Sequence, residues 1–261
     1  MSKPLTYLRY LKLEELLSLQ QPLSEGPEHD EHLFIVIHQV YELWFKQLLH
    51  EFRFLREALL RGDAASALSA LKRVLTILKT LVGQVDIIET MTPLSFNAFR
   101  SRLEAASGFQ SAQFREIEFL LGHRRAEVLA AHPAGGNRDR LEKLLSEPSL
   151  YDAFLRYLHA QGKPVPREVL ERDLAKPTAA NESVQDMLIT VYRDGGFPAQ
   201  LCERLVDLDE GLQEWRYRHV KMVERTIGAK IGTGGSAGAA YLRETLFRPL
   251  FADLWAIRSR L

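Results

Sequence analysis

Apolar residues spaced three and four apart constrain the fold of this chain more than any other feature. Between Ala64 and Ile88 this spacing places them on one face of a long helix. They are Leu68, Leu71, Val74, Leu75, Leu78, Leu81, Val82, Val85 and Ile88. Gly62 and Asp63 precede the pattern and predict the stop of one helix followed by the N-cap of the next.

Other segments repeat this helical pattern. It predicts helices over about 31–60, 92–102, 109–121, 198–227 and 239–258, with Thr92 as N-cap and Pro93 as first helical residue. No alternation of polar and apolar residues is long enough to build a sheet. The sequence therefore predicts an all-α, bundle-like single domain over residues 1–261. The Pro- and Gly-rich segment 123–181 is expected to hold short helices and loops between two main helix groups.

Composition excludes several classes of protein. Lys and Arg together number 34, as do Asp and Glu, so a neutral chain has no electrostatic reason to bind nucleic acid or an anionic membrane. The single cysteine, Cys202, cannot form an internal disulfide or a thiolate metal site. No apolar run approaches the ~20 residues of a membrane span, and residues 1–10 lack a signal-peptide pattern. We therefore expect a cytoplasmic protein without a membrane or nucleic-acid partner.

Two of the eight histidines lie in unusual surroundings. His38 sits in a nearly continuous apolar stretch, and Phe34 shares its helix face, so the pair could wall a pocket for a flat ligand. His219 lies on a helix with Trp215 and Met222 on the same side and arginines nearby. That environment suits an axial haem ligand whose propionates meet arginines. Physics alone also allows both residues to be ordinary core histidines, and for His38 it favours that reading.

Three further motifs have weaker implications. The segment 28–32 holds acidic and histidine residues but is typical of a solvated helix start, and no histidine has the glutamate three residues earlier that a di-iron bundle needs. The glycine-rich segment 232–238 is either a lid, with the Thr233 hydroxyl offered to a ligand, or a plain connection. Phe96 and Arg100 lie four residues apart and therefore on one helix face. Arg100 either pairs with the carboxylate of a ligand beside this aromatic ring or is a surface arginine.

Taken together, these segments resemble the tryptophan 2,3-dioxygenase family. The similar blocks are 29–47, 89–115 and 215–243, with 5–11 near the N-terminus. They cover roughly half of the chain and follow the family's order. Segment 123–203 contributes little to the resemblance.

The resemblance implies roles for individual residues around a haem. His219 corresponds to the proximal ligand of the haem iron, while Ser107 and Gly108 correspond to residues close to the haem on its distal side. His38 corresponds to the catalytic distal histidine that hydrogen-bonds the indole N–H. Because an indole N–H is a very weak acid, we expect His38 to orient the substrate rather than act as an obligatory base.

The resemblance also implies a substrate pocket. Phe34 packs on the indole ring and begins a substrate-binding segment that continues through Ile35, Val36 and Ile37 to His38. Arg100 pairs with the substrate carboxylate beside Phe96, where some relatives have tyrosine. Thr233 contacts the substrate ammonium and carboxylate. Within segment 1–20, Tyr7 and Tyr10 are expected to reach the site of a neighbouring subunit in a homotetramer.

The implied activity is haem-dependent cleavage of the indole C2–C3 bond of L-tryptophan. The cofactor is haem b, O2 is the co-substrate, and the product is N-formyl-L-kynurenine, formed in the first step of tryptophan degradation by the kynurenine pathway. Two alternatives stay open. One is a haem monooxygenase acting on a modified tryptophan in a biosynthetic pathway. The other is a non-catalytic haem sensor, against which the amino-acid clamp of Arg100 and Thr233 argues.

Overall fold

Helices account for the regular structure of the chain. The computed structural model describes residues 4–26, 28–230, 232 and 238–261, and these ranges contain no strand. The all-α prediction is confirmed. The helices are α1 (Tyr7–Leu11), α2 (Leu13–Leu17), α3 (His29–Leu60), α4 (Ala64–Ile88), α5 (Pro93–Arg100), α6 (Ala112–Leu120), α7 (Gly136–Ser146), α8 (Leu150–Ala160), α9 (Arg167–Leu170), α10 (Glu182–Asp194), α11 (Gly196–Ile227), α12 (Ala239–Arg243) and α13 (Ala252–Ala256).

The helix starts follow the capping residues of the sequence. At α4 the Asp63 carboxylate accepts a hydrogen bond from the Ser66 N–H at 3.0 Å. At α5 the Thr92 hydroxyl oxygen accepts from the Ser95 N–H at 3.1 Å, with Pro93 in the first turn. Each cap satisfies a backbone donor that the helix itself leaves without a partner. Both predicted starts are confirmed.

The three long helices α3, α4 and α11 form the frame of the molecule. Helix α4 packs against both α3 and α11, and Leu55, Leu71 and Leu208 lie fully buried between them. Helix α8 also packs against α3, and its residues Tyr151 and Phe154 are buried in the same core. None of the helices in the described ranges is both long and apolar enough to cross a membrane.

The C-terminal segment differs from its prediction. Instead of one helix over 239–258, the chain forms α12 and α13 with turns between them. Pro249 has no N–H to donate, and the buried Asp209 carboxylate accepts the N–H groups of Leu250 and Phe251 at 2.7 and 3.2 Å. These bonds to α11 replace the helical ones, so the prediction of a continuous helix is wrong here.

Candidate functional site

A cavity of about 290 Å³ lies where α3, α4, α5, α6 and α11 come together. Most of its walls are aromatic or aliphatic, as is usual for a ligand pocket. Residues far apart in sequence meet in it. The residues predicted from sequence that line this cavity are Phe34, Ile37, His38, Phe96, Arg100, Ser107, Gly108 and His219.

The other predicted site residues lie elsewhere. Ile35 and Val36 are half-buried but do not line the cavity, because the helical turn directs them away from the face that Phe34 and His38 share. Tyr7 and Tyr10 project from α1 into solvent, with exposed fractions of 72% and 71%. Thr233 lies outside the described residues. The roles assigned to these residues stay predictions.

His38 is held in a defined tautomer by its own helix. Its Nδ1 lies 2.7 Å from the Phe34 carbonyl oxygen, which can only accept, so Nδ1 must donate. In the neutral ring Nε2 therefore keeps a lone pair. Desolvation by the surrounding protein lowers the pKa of His38, although the ring keeps accessible surface where the cavity opens. His38 is thus a neutral hydrogen-bond acceptor at pH 7.

His219 faces the same cavity from α11. Its ring stacks on Trp215, one turn earlier, with centroids 5.3 Å apart and planes 6° from parallel. Desolvation, with help from the nearby His38 and Arg115, lowers the pKa of His219 to about 4. A neutral imidazole is the form that binds a metal. Among the described residues no group of three or more His, Cys, Asp or Glu is arranged to hold a metal ion.

An aromatic wall stands between α3 and α5. The Phe34 and Phe96 rings are 5.8 Å apart, and Phe99 contacts both of them edge-on, at 5.5 and 5.4 Å. Phe99 is fully buried and does not line the cavity, so it acts as backing for the two rings that do. Such a wall suits one face of a flat, apolar ligand.

A short turn before α6 closes one side of the cavity. The Ser107 hydroxyl oxygen accepts a hydrogen bond from the Phe109 N–H at 3.3 Å. In return, the Gln110 side-chain oxygen accepts a hydrogen bond from the Ser107 N–H. This reciprocal capping fixes Ser107 and Gly108 against the cavity. Arg100, the last residue of α5, lines the same side and places a cation beside the aromatic wall.

Sequence reasoning missed most of an arginine–glutamate cluster in the cavity wall, formed by Arg115, Glu118, Arg125 and Arg216. Glu118 pairs with all three arginines, and burial alone would raise its pKa, but their charges outweigh burial and lower it. The available signal was a pair of charged residues, Arg115 and Glu118, three apart in α6. By contrast, Arg218 turns away from the cavity to Asp86 at 2.6 Å.

These features fit a flat cofactor with an axial nitrogen ligand and acidic substituents. The buried Nε–H of Arg115 has no acceptor among the residues that the structure describes, whereas most buried donors are paired. The aromatic walls accept a planar ring, and His219 offers a neutral imidazole. Fold and site together define a helical protein whose aromatic cavity between long helices suits a flat ligand.

Comparison with known proteins identifies the family. The family model described as tryptophan 2,3-dioxygenase matches residues 1–147 and 183–261. The chain is 60% identical to a curated tryptophan 2,3-dioxygenase of Herpetosiphon aurantiacus over 261 residues, covering 100% of both chains. It is 62% identical to one of Anaeromyxobacter sp. (strain K), covering all of this chain and 97% of the relative. One of Pseudomonas aeruginosa is 45% identical, with 98% and 90% covered. The chain belongs to the tryptophan 2,3-dioxygenase family, as its sequence motifs predict.

Proposed function

We propose that this protein uses O2 to cleave the indole C2–C3 bond of L-tryptophan. The product is N-formyl-L-kynurenine, and the reaction is the first step of tryptophan degradation by the kynurenine pathway. One observation carries the proposal in a chain of this family: two neutral histidines, His38 and His219, line a single aromatic cavity.

The proposed cofactor is haem b, held through His219. When bound, the haem iron supplies the binding and activation of O2. The stack on Trp215 fixes the plane of the His219 ring, and its depressed pKa keeps the nitrogen lone pair available. The sequence has no Cys-x-x-Cys-His, so we expect the porphyrin to be held without a covalent link. Ser107 and Gly108 lie at the cavity edge where they can contact it.

The remaining site residues orient the substrate. We propose that the indole N–H donates a hydrogen bond to His38 Nε2, since Nδ1 already donates to the Phe34 carbonyl oxygen. Phe34 and Phe96 flank the indole ring, and Arg100 pairs with the carboxylate. Phe96 has no hydroxyl group to offer, so the carboxylate depends on Arg100 and, by our prediction, on Thr233. Holding the substrate at both ends supplies the proximity that makes the reaction effectively unimolecular.

The environment of His38 supports an orienting role. A lowered pKa makes His38 a weaker base than a free imidazole, and an indole N–H is a very weak acid. Full proton removal by His38 is therefore unfavourable. A hydrogen bond to its lone pair still fixes the indole in the cavity and excludes water from that edge.

We further propose a cytoplasmic homotetramer. The N-terminal segment carries exposed apolar side chains that a neighbouring subunit could cover, including Leu5 and Leu8 at 72% and 54% exposure beside Tyr7 and Tyr10. Several large apolar side chains exposed within one short segment are typical of a contact site. Completion of a neighbour's pocket by Tyr7 and Tyr10 is part of the same proposal.

The direct test incubates the ferrous holoprotein with L-tryptophan and doubly labelled oxygen-18 gas. We expect formylkynurenine absorbance and early product carrying two labelled atoms, without continuous reductant. Early sampling matters because the formyl oxygen exchanges with water. A product with one labelled atom that needs continuous reductant or peroxide would favour the monooxygenase alternative. A change in the haem spectrum on adding L-tryptophan, without turnover, would favour the sensor.

The carboxylate assignment has its own test. Arg100→Ala should cost about 2–5 kcal/mol of transition-state binding, which is on the order of 30-fold or more in kcat/KM. Tryptamine, which lacks the carboxylate, should be a poor substrate of the parent protein for the same reason. Equal turnover of tryptamine and L-tryptophan would remove Arg100 from the site.

A further inference from the structure

The N-terminal arm, residues 4–17, packs little against its own subunit. Its two short helices, α1 and α2, contain no buried residue and pack chiefly against each other. Leu17 is 72% exposed, as is Tyr7. The direction in which the arm leaves the subunit is therefore set by the residues that join it to α3.

Glu31 fastens one end of the connector, residues 19–24, which joins the arm to α3. Its carboxylate accepts hydrogen bonds from the Leu23 N–H at 2.7 Å and from the Ser24 N–H at 3.0 Å. Glu31 is only 2% exposed and lies in the first turn of α3, where the helix dipole favours a negative charge. Burial alone would raise the pKa of Glu31, but these hydrogen bonds and the charge of Arg102 outweigh burial and lower it. A buried carboxylate without donors is costly, so the connector and Glu31 stabilise each other.

Gln39 fastens the other end of the connector. Its Oε1 accepts a hydrogen bond from Gln20 Nε2 at 2.6 Å, and its Nε2 donates to the Leu19 carbonyl oxygen at 3.2 Å. Eight residues of helix rise about 12 Å, and four residues of extended chain span about 13–14 Å. The connector therefore has little slack between Gln39 and Glu31.

The two anchors lie on the face of α3 next to the face that lines the cavity. Glu31, Ile35 and Gln39 follow one another at a spacing of four residues along one side of the helix. Phe34 and His38 line the cavity from the adjacent side. One stretch of α3 thus holds the proposed substrate site of its own subunit and the connector of the arm that is proposed to complete a neighbour's site.

We propose that Glu31 is a positioning residue that directs the N-terminal arm into the site of the neighbouring subunit. This inference rests on the proposed role of Tyr7 and Tyr10 in that site. Glu31 does not line the cavity and acts through the arm. By holding Leu23 and Ser24 it confines the arm to one direction, so the arm loses less conformational freedom when it docks.

Hydrogen exchange of the peptide 18–26 in the holoprotein tests the anchor directly. The Leu23 and Ser24 amides should be protected in the parent. Glu31→Ala should make them exchange at least about 10-fold faster, because each amide loses a hydrogen bond to a charged group. Asp30→Asn is the matched control, since Asp30 carries the same charge in the same helical turn whereas Glu31 makes the bonds to the connector. Parent-like protection in folded Glu31→Ala, or an equal loss in Asp30→Asn, would overturn the proposal.

A double-mutant comparison then tests whether Glu31 acts through the arm. In the full chain, a docked fraction of arms lowered to about one tenth by Glu31→Ala raises KM for L-tryptophan about 10-fold. In the variant that lacks residues 1–10, the same substitution should change KM by less than about 2-fold, because no arm tyrosine is left to direct. An effect of equal size in both backgrounds would place the action of Glu31 on Phe34 or Arg102 of its own subunit and overturn the proposal.

Failure of the proposed function is seen without any change at Glu31. A parent protein that does not turn over L-tryptophan would refute that function, and a parent-like KM in the variant lacking residues 1–10 would refute the role of the arm. Either result would remove the basis of this inference. A raised KM in the deletion variant with a parent-like KM in Glu31→Ala would overturn the inference alone.

Folding is checked by circular dichroism before each measurement. If Glu31→Ala does not fold, Glu31→Gln replaces it, since it keeps one acceptor oxygen and nearly the same volume and should show the same changes to a smaller extent. Gln39→Ala releases the other anchor and should raise KM in the full chain only. Folded Glu31→Gln and Gln39→Ala that both keep the parent KM would overturn the proposal.

Discussion

Phe99 gives a sharp test of how the aromatic wall is supported. Its side chain is fully buried and meets Phe34 and Phe96 edge-on, at 5.5 and 5.4 Å, yet it does not line the cavity. Phe99→Ala should lower the free energy of unfolding by about 3–5 kcal/mol, the usual cost of truncating a buried aromatic. The two ring pairs account for about 0.5–1.5 kcal/mol each of that loss.

Phe99→Ala should also weaken the binding of L-tryptophan, because the Phe34 and Phe96 rings lose the side chain that supports them. A loss of about 0.7–1.4 kcal/mol of indole binding raises KM for L-tryptophan about 3- to 10-fold. Haem affinity should stay near that of the parent, because the proposed iron ligand His219 lies on α11 rather than on α5. Phe99→Leu is the milder form, since it fills more of the space and loses mainly the ring pairs.

Urea unfolding of the apoprotein, Soret titration and steady-state kinetics measure the three effects. Phe197→Ala is the control, because its ring is 52% exposed and should change stability by less than about 0.5 kcal/mol. The reasoning is refuted if Phe99→Ala unfolds at the parent urea concentration. It is refuted equally if haem affinity falls while KM does not change.

Three further predictions concern stability and assembly. Burial lowers the pKa of His123 from 6.5 to about 4, so its contribution to stability is present above pH 6.5 and is lost as pH falls toward 4. His123→Gln should therefore flatten the acid side of the urea midpoint plotted against pH, and an unchanged slope would contradict this. Asp209→Leu leaves three donors without an acceptor and should lower the free energy of unfolding by about 1–3 kcal/mol for each donor. Asp209→Asn keeps one side-chain oxygen, so urea unfolding should show a smaller loss. Equal losses in the two variants would argue against Asp209 as the acceptor for the C-terminal segment. Deleting residues 1–10 should raise KM for L-tryptophan and weaken the homotetramer, and a fully active monomer by light scattering would count against a role for Tyr7 and Tyr10.

Local signals in the sequence were enough to predict the long helices and their caps. Side chains three or four residues apart on a helix meet whatever the rest of the chain does. The pairing of Phe34 with His38, and the stack of Trp215 on His219, follow from this spacing. The same holds for the Asp63 and Thr92 caps, which act within three residues. The family motifs are read from these local segments as well.

The C-terminal segment shows where local signals end. The apolar pattern over 239–258 is helical, but the chain breaks because Asp209, which lies 41 residues before Leu250, takes the backbone donors that a helix would use. Helix α8 is a second case, since the sequence predicted short helices and loops in segment 123–181 but did not indicate that one of these helices is buried against α3. In both cases burial against a distant element decides the outcome.

By itself, then, the sequence determined the helical class, the principal helix starts and the family to which the chain belongs. Only the tertiary structure decided which charges share the cavity. Glu118 and Arg216 are 98 residues apart and meet because α6 and α11 bring them to one wall. Helical periodicity extends over a few residues, whereas the distance between two such side chains depends on how every intervening helix packs.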